Sequence, residues 1–196
     1  MVSPSPSEVV LICWQCHEST QGAVCVGCGS LQPPPPKADP YVVLGLKRSF
    51  FTDVADIDDA WRTVSRAVHP DRWAGKRAVF RRMSLQWTAA LNESRRVLSD
   101  PLSRAWYLAT GEPQPPERGG AQPDGDFLET IFELQMMNAA DPDGARETVR
   151  QLWDTHRSQL DVAFLAWEAD KGTLDGVGMI LAKLQYLNTA RAQTGA

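Results

Sequence analysis

The chain has 196 residues, 43% hydrophobic and 22% charged, with a net charge of −4. This composition suits a folded chain in water, long enough for one medium domain or two small ones. A general nucleic-acid binder needs a basic balance, and a membrane-spanning helix needs about 20 consecutive apolar residues. Neither is present, so nucleic acid and membrane are not expected partners.

Residues 1–8 are expected to be disordered. They place no basic side chain ahead of the apolar patch at 9–12, which argues against a signal peptide and for a cytoplasmic location. Four cysteines follow in two CxxC pairs, Cys13-Trp14-Gln15-Cys16 and Cys25-Val26-Gly27-Cys28, eight residues apart. In a reducing compartment this clustering favours metal over disulfide. The spacing allows Cys13, Cys16, Cys25 and Cys28 to surround one structural zinc ion tetrahedrally. Redox chemistry at two separate CxxC pairs is the alternative. Gly27 and Gly29 suit the tight turns a knuckle requires, and His17 is expected to be exposed rather than a ligand. A segment as short as 9–32 builds no core of its own, so the metal would be what folds it. The proline-rich stretch 33–38 reads as a stiff spacer and a domain boundary.

Asp39-Pro40-Tyr41 begins a short helix that Gly45 ends. Residues 56–68 follow with Ile57, Trp61, Val64 and Val68 at helical spacing. Pro70 stops that helix and biases His69 away from helical backbone, so His69-Pro70-Asp71 is expected in a non-helical loop. A longer helix over 76–98 carries Phe80, Met83, Trp87, Leu91, Ser94 and Leu98 on one stripe. Another starts at Asp100-Pro101 and closes at Thr110-Gly111. Residues 112–125 read as a linker rich in proline and glycine. Three further amphipathic helices follow. The first is expected over 126–138, with Asp126 and Glu129 as its capping pair. The second runs to about 170, with Val149, Leu152, His156, Leu160, Ala163 and Trp167 on its stripe. The third covers 173–192, with Leu174, Val177, Leu181, Leu184 and Leu187. Short connections make them an antiparallel bundle. The fold class is all-α, with a small N-terminal knuckle.

Charge is segregated. From Trp61 to Arg96 nine basic residues (Arg62, Arg66, Arg72, Lys76, Arg77, Arg81, Arg82, Arg95 and Arg96) face only Asp71 and Glu93. This is a local surplus of seven in a chain whose net charge is −4. Such a face steers an acidic partner; the alternative is a solvated polar face, which would normally mix both signs. On the first bundle helix, Leu128, Phe132 and Met136 fall at steps of four, off the packing stripe Phe127, Ile131 and Leu134. A second apolar stripe either buries against another domain or faces a partner. No nucleophile or pocket motif accompanies His69 and Asp71, so no enzymatic activity is expected.

The short Asp-Pro-Tyr helix, the basic helix, His-Pro-Asp and the long following helix together resemble a J-domain, here over 39–111. The segment Asp100-Pro101-Leu102-Ser103-Arg104-Ala105-Trp106-Tyr107-Leu108 resembles the continuation found in HscB co-chaperones of iron–sulfur cluster assembly. The bundle over 126–192 and the N-terminal knuckle are similar to parts of that family. The resemblance implies that His69, Pro70 and Asp71, with Arg62, Arg66 and Arg72, contact the ATPase of a DnaK/HscA-type chaperone. It also implies that Leu128, Phe132, Glu133 and Tyr186 grip an IscU-type scaffold. Arg95 departs from the family pattern, standing where the corresponding helix usually carries an aromatic ring. Glu129 and Met136 depart from it on the bundle. The rivals are a J-protein with another client, which shares every feature up to residue 98, and a zinc-binding module that the helices merely scaffold.

Overall fold

A computed structural model describes residues 11–35, 39–113 and 122–195. The expected disorder at 1–8, residues 36–38 of the proline spacer and most of the 112–125 linker lie outside the described residues. The chain divides into two compact units, with the boundary between Arg104 and Ala105.

The first unit opens with β1 (Leu11–Ile12) and β2 (Ser19–Thr20), an antiparallel pair around the first CxxC, and a bridge between Val24 and Leu31 around the second. Helix α1 (Pro40–Leu44) is capped by Asp39, whose carboxylate accepts from the Tyr41 and Val42 N–H groups, and ends on Gly45 at φ +70°. Only a residue tolerant of left-handed backbone closes a helix this way. Helix α2 (Val54–Val68) buries Ile57 and Val68 and half-buries Trp61 and Val64, the expected stripe. Helix α3 (Pro70–Trp73) is one turn long, and α4 (Ala78–Ser99) buries Phe80, Ser84, Trp87, Leu91, Ser94, Val97 and Leu98. Helix α2 runs antiparallel to α4. Its start meets the end of α4 through Arg95 Nε and Asp58 at 2.7 Å, and its end meets the start of α4 through Ser84 Oγ, which donates to the Val68 carbonyl at 2.6 Å.

Asp100 accepts from the Ser103 N–H at 2.7 Å and opens α5 (Pro101–Thr110). Arg104 on its first turn is buried, and its guanidinium donates to the carbonyls of Leu98, Phe50 and Thr52. A buried guanidinium is tolerable only when fully bonded. Here it ties the loop after α1 to the end of α4.

The second unit holds α6 (Gly125–Ala140), α7 (Pro142–Glu168) and α8 (Val177–Thr194). Arg146 Nε, near the start of α7, donates to the Thr194 carbonyl at the end of α8 at 3.0 Å, so these helices are antiparallel. Lys183 on α8 meets Asp124 at the head of α6 at 2.6 Å. Phe127, Ile131, Leu134, Val149, Leu187 and Ala190 form a buried cluster, with Leu152 and Trp153 packed against it. His156 is also buried, its Nδ1 at 2.8 Å from the Leu152 carbonyl and its ring edge-on to Phe127.

Three sequence expectations need correction. The cap of α6 is Asp124, which accepts from the Phe127 N–H at 3.0 Å, not Asp126 with Glu129. Helix α8 starts at Val177 rather than residue 173, because Gly176 takes φ +83° and resets the chain there. The third is the His-Pro-Asp segment, which is not wholly a loop.

Candidate functional site

His69 serves both helices: it closes α2 and caps α3. Its backbone is extended (φ −53°, ψ 134°), as a following proline requires, but Pro70 then occupies the first turn of α3. The proline that stops one helix starts the next. The Asp71 N–H donates to His69 Nδ1 at 3.3 Å, which leaves Nε2 as the ring's donor. An Asp71 carboxylate oxygen lies 3.6 Å from the same nitrogen, and the two side chains are 57% and 92% exposed. The pair is therefore offered outward on a fixed turn.

Two side chains fix that turn from beneath by taking carbonyls that the end of α2 leaves without a helical partner. Trp73 Nε1 donates to Ala67 at 3.1 Å, and Ser84 Oγ donates to Val68. Neither residue stands out in the sequence, since their roles depend on contacts rather than period.

The basic residues around the turn are not equivalent. Arg62 is held by Asp59 at 2.6 Å and lies 3.9 Å from Asp58, Arg95 pairs with Asp58, and Arg96 pairs with Glu93. Asp58 and Asp59 lie just before the window from which the surplus of seven was counted, so that surplus overstates the field at α2. Arg66, Arg72, Lys76, Arg77, Arg81 and Arg82 make no ion pair among the described residues and are exposed, so the free positive charge clusters at the hairpin tip. The departure at Arg95 has a structural account. Its guanidinium lies 4.9 Å from the Trp61 ring centroid and also bonds Asp58, supplying in one side chain a flat group over the indole and a charge for α2. The hydrogen bond from Arg95 holds the Asp58 carboxyl below its ordinary range.

At the N-terminus the four sulfurs converge within 4.8 Å of one another. Cys13 and Cys28 are 3.6 Å apart and Cys16 and Cys25 are 3.7 Å apart. A disulfide needs about 2.05 Å, whereas four sulfurs at about 2.3 Å from a tetrahedral ion stand roughly 3.8 Å apart. The two knuckles repeat each other. The His17 N–H donates to the Cys13 carbonyl as Gly29 N–H does to Cys25, and Cys13 N–H donates to Glu18 as Cys25 N–H does to Ser30. His17 (φ 61°) and Gly29 (φ 70°) fill the same left-handed position, so His17 turns the chain and is exposed rather than acting as a ligand. Gln32 Nε2 and the Gln15 N–H point at the Cys13 sulfur, and the Ser30 hydroxyl sits 3.0 Å from that of Cys28. Burial pushes the Cys13 thiol up, but N–H groups of Cys16 and Gln15 and nearby thiols outweigh it and bring the pKa to about 6. The backbone of Glu18 lowers Cys16, yet burial and the other sulfurs push it up to about 12. Crowded thiolates lack a counter-charge that a cation supplies, so the donor set fits a closed four-thiolate metal site.

On the bundle, Leu128, Phe132 and Met136 are 39%, 63% and 62% exposed, while Phe127, Ile131 and Leu134 of the same helix are buried. Glu133 is exposed between them, and Tyr186 on α8 is half exposed. Tyr186 lines a groove with Ile131 and Gln135 of α6, and the lining of that groove does not include Leu128, Phe132 or Glu133. No described helix is long and apolar enough to cross a membrane.

An antiparallel helical pair presenting an exposed His-Pro-Asp turn among unpaired cations is the make-up of a J-domain, and the chain carries a three-helix bundle as a second unit. No protein-family model matches the chain. The co-chaperone protein HscB homolog of Burkholderia vietnamiensis is 48% identical over 164 residues, covering 77% of this chain and 89% of that protein. The chain belongs to the HscB family of co-chaperones. It is also similar to the iron–sulfur cluster co-chaperone protein HscB of Mus musculus, 26% identical over 187 residues, covering 90% of this chain and 78% of that protein. The crystal structure of human co-chaperone protein HscB matches with a TM-score of 0.73 at 25% identity, covering 94% of this chain and 97% of that one.

Proposed function

We propose that the chain stimulates ATP hydrolysis by a DnaK/HscA-type chaperone and delivers to it an IscU-type iron–sulfur scaffold. The observation that carries this reading is the outward-facing His69-Pro70-Asp71 turn, fixed from beneath by Trp73 and Ser84. Arg66 and Arg72 stand free beside the turn to draw an acidic surface, with Arg62 contributing contact more than field because Asp59 already neutralises it. Leu128, Phe132, Glu133 and Tyr186 offer the scaffold a mainly apolar face whose exposure the packing of the bundle does not require. Cys13, Cys16, Cys25 and Cys28 hold structural zinc, the ion that best suits four thiolates in a closed tetrahedron. The working modules are then the knuckle at 9–32, the J-domain at 39–111 and the bundle at 126–192, joined at 33–38 and 112–125. Four thiols kept as metal ligands suit a reducing compartment, which supports a cytoplasmic location.

Mixing the chain with a DnaK-type chaperone, ATP and an IscU-type scaffold, then measuring complexes by sedimentation, tests this. A ternary complex is expected, with His69→Gln losing the chaperone and keeping the scaffold. Chaperone binding without scaffold binding would leave a J-protein with another client, and chaperone binding indifferent to His69→Gln would overturn the reading of the turn.

A further inference from the structure

The first turn of α4 is built against itself. Arg77 provides no side-chain cap, no acidic residue occupies the turn, and Arg77, Arg81 and Arg82 bring positive charge to the positive end of the helix dipole. Such an end frays unless something else holds it. What holds it is Phe80, whose ring packs against two indoles. Trp73 stacks on it at 5.3 Å and 28°, and Trp14 from the first CxxC packs on it at 5.6 Å and 51°. Trp73 in turn donates to Ala67 beneath the His-Pro-Asp turn, and Trp14 is anchored by its Nε1 donating to the Leu31 carbonyl at 2.8 Å. A second tie runs beside the first. Gln32, whose amide bonds the Cys13 sulfur, accepts from Trp87 Nε1 of α4 at 2.7 Å through its own carbonyl.

We infer that Trp14 is a positioning residue for the His-Pro-Asp turn: the four-cysteine knuckle clamps the start of α4 through Trp14 and Phe80, and so sets Trp73 and the turn above it. Aromatic packing of this kind is directional, and its loss frees Phe80 on one face and lets Trp73 slip from the Ala67 carbonyl. Metal occupancy of the knuckle and order of the turn are thereby coupled. The inference rests on the proposed role of the turn for its functional meaning, but its physical content stands without it.

Amide hydrogen exchange of the whole protein tests this, since it reads local opening directly. Trp14→Leu keeps apolar bulk and removes the ring. With one metal ion still bound, it is expected to speed exchange over residues 67–74 roughly tenfold, the upper end of what one aromatic pair sustains. The α2–α4 seam around Ile57, Leu91 and Val97 should stay protected, and Trp14→Phe should restore slow exchange. Chelating the metal from the unmutated protein should produce the same localised change, which covers a Trp14→Leu variant that fails to fold. Unchanged exchange at 67–74 in either arm, or loss of protection throughout α1–α4 on chelation, overturns the inference. A localised exchange change in Trp14→Leu, together with ATPase stimulation indifferent to His69→Gln, would leave the clamp standing and remove the proposed role of the turn.

Discussion

Phe132 separates packing from binding on the bundle. It is 63% exposed, so about a third of its surface is removed from solvent, whereas its neighbour Ile131 is 8% exposed. Full burial of such a side chain contributes about 1.5–3 kcal/mol, and a third of that is about 0.5–1 kcal/mol. Phe132→Ala should therefore lower unfolding free energy by about 1 kcal/mol or less, while Ile131→Ala leaves a cavity and costs about 2–5 kcal/mol. If Phe132 anchors a partner, its truncation should weaken binding by at least about 2 kcal/mol, near thirtyfold in Kd. Urea denaturation of both variants, beside calorimetric titration with an IscU-type scaffold, reads the two effects separately. A Phe132→Ala protein that is destabilised as much as Ile131→Ala, or that binds scaffold unchanged, would refute the reasoning for this face.

The association rate with the chaperone should fall as salt rises, since the screening length is about 8 Å at physiological ionic strength. Arg66→Ala or Arg72→Ala should slow it more than Arg62→Ala, because both stand closer to the His-Pro-Asp turn; equal effects in stopped-flow would show that the rate follows net charge alone. Arg95→Ala should give a stability deficit that depends on pH. Asp58 is lowered by Arg95, so its contribution is present above the ordinary carboxylate range of about 4 and is lost as pH falls through its lowered value. The difference between thermal melts of variant and unmutated protein should thus be larger at pH 7 than in strong acid, where only the contact of Arg95 with Trp61 remains. Elemental analysis of protein purified without added metal should find one zinc per chain. Affinity for the ion should fall in acid, where protons compete with the metal for the four thiolates; four titratable free thiols and no metal would contradict this.

Most of the architecture is written in local pattern. The stripe Ile57, Trp61, Val64 and Val68 marks the inner face of α2 because burial on one side of a helix repeats every three to four residues. Asp39, Gly45 and the paired CxxC segments are readable for the same reason, since each acts on backbone or sulfur close by in the chain. What sequence did not reveal is either degenerate or distant. Asp124 and Asp126 are chemically identical candidates for one cap, and only the path of the preceding chain chooses between them. Pro70 signals a helix stop and a helix start equally, and α3 is too short to show a period. Pairing of Arg62 with Asp58 and Asp59 is local to α2 and readable from the three- and four-residue spacing, whereas that of Arg95 with Asp58 is settled by the approach of α2 to α4, which a running charge count cannot contain. The Arg104 guanidinium and the Trp14–Phe80–Trp73 stack join residues far apart in the chain, and nothing periodic announces them.

The central claim is that an exposed, rigid His-Pro-Asp turn acts on a chaperone ATPase while its exposed side chains contribute little to the stability of the fold. Steady-state ATP hydrolysis by a DnaK/HscA-type chaperone, measured with increasing amounts of this protein and of its His69→Gln variant, tests it most directly. The unmutated protein should accelerate hydrolysis to a plateau, and the variant should give no acceleration while keeping the same helical circular dichroism and nearly the same melting temperature. Equal stimulation by both proteins, or a variant that has unfolded, would contradict the account.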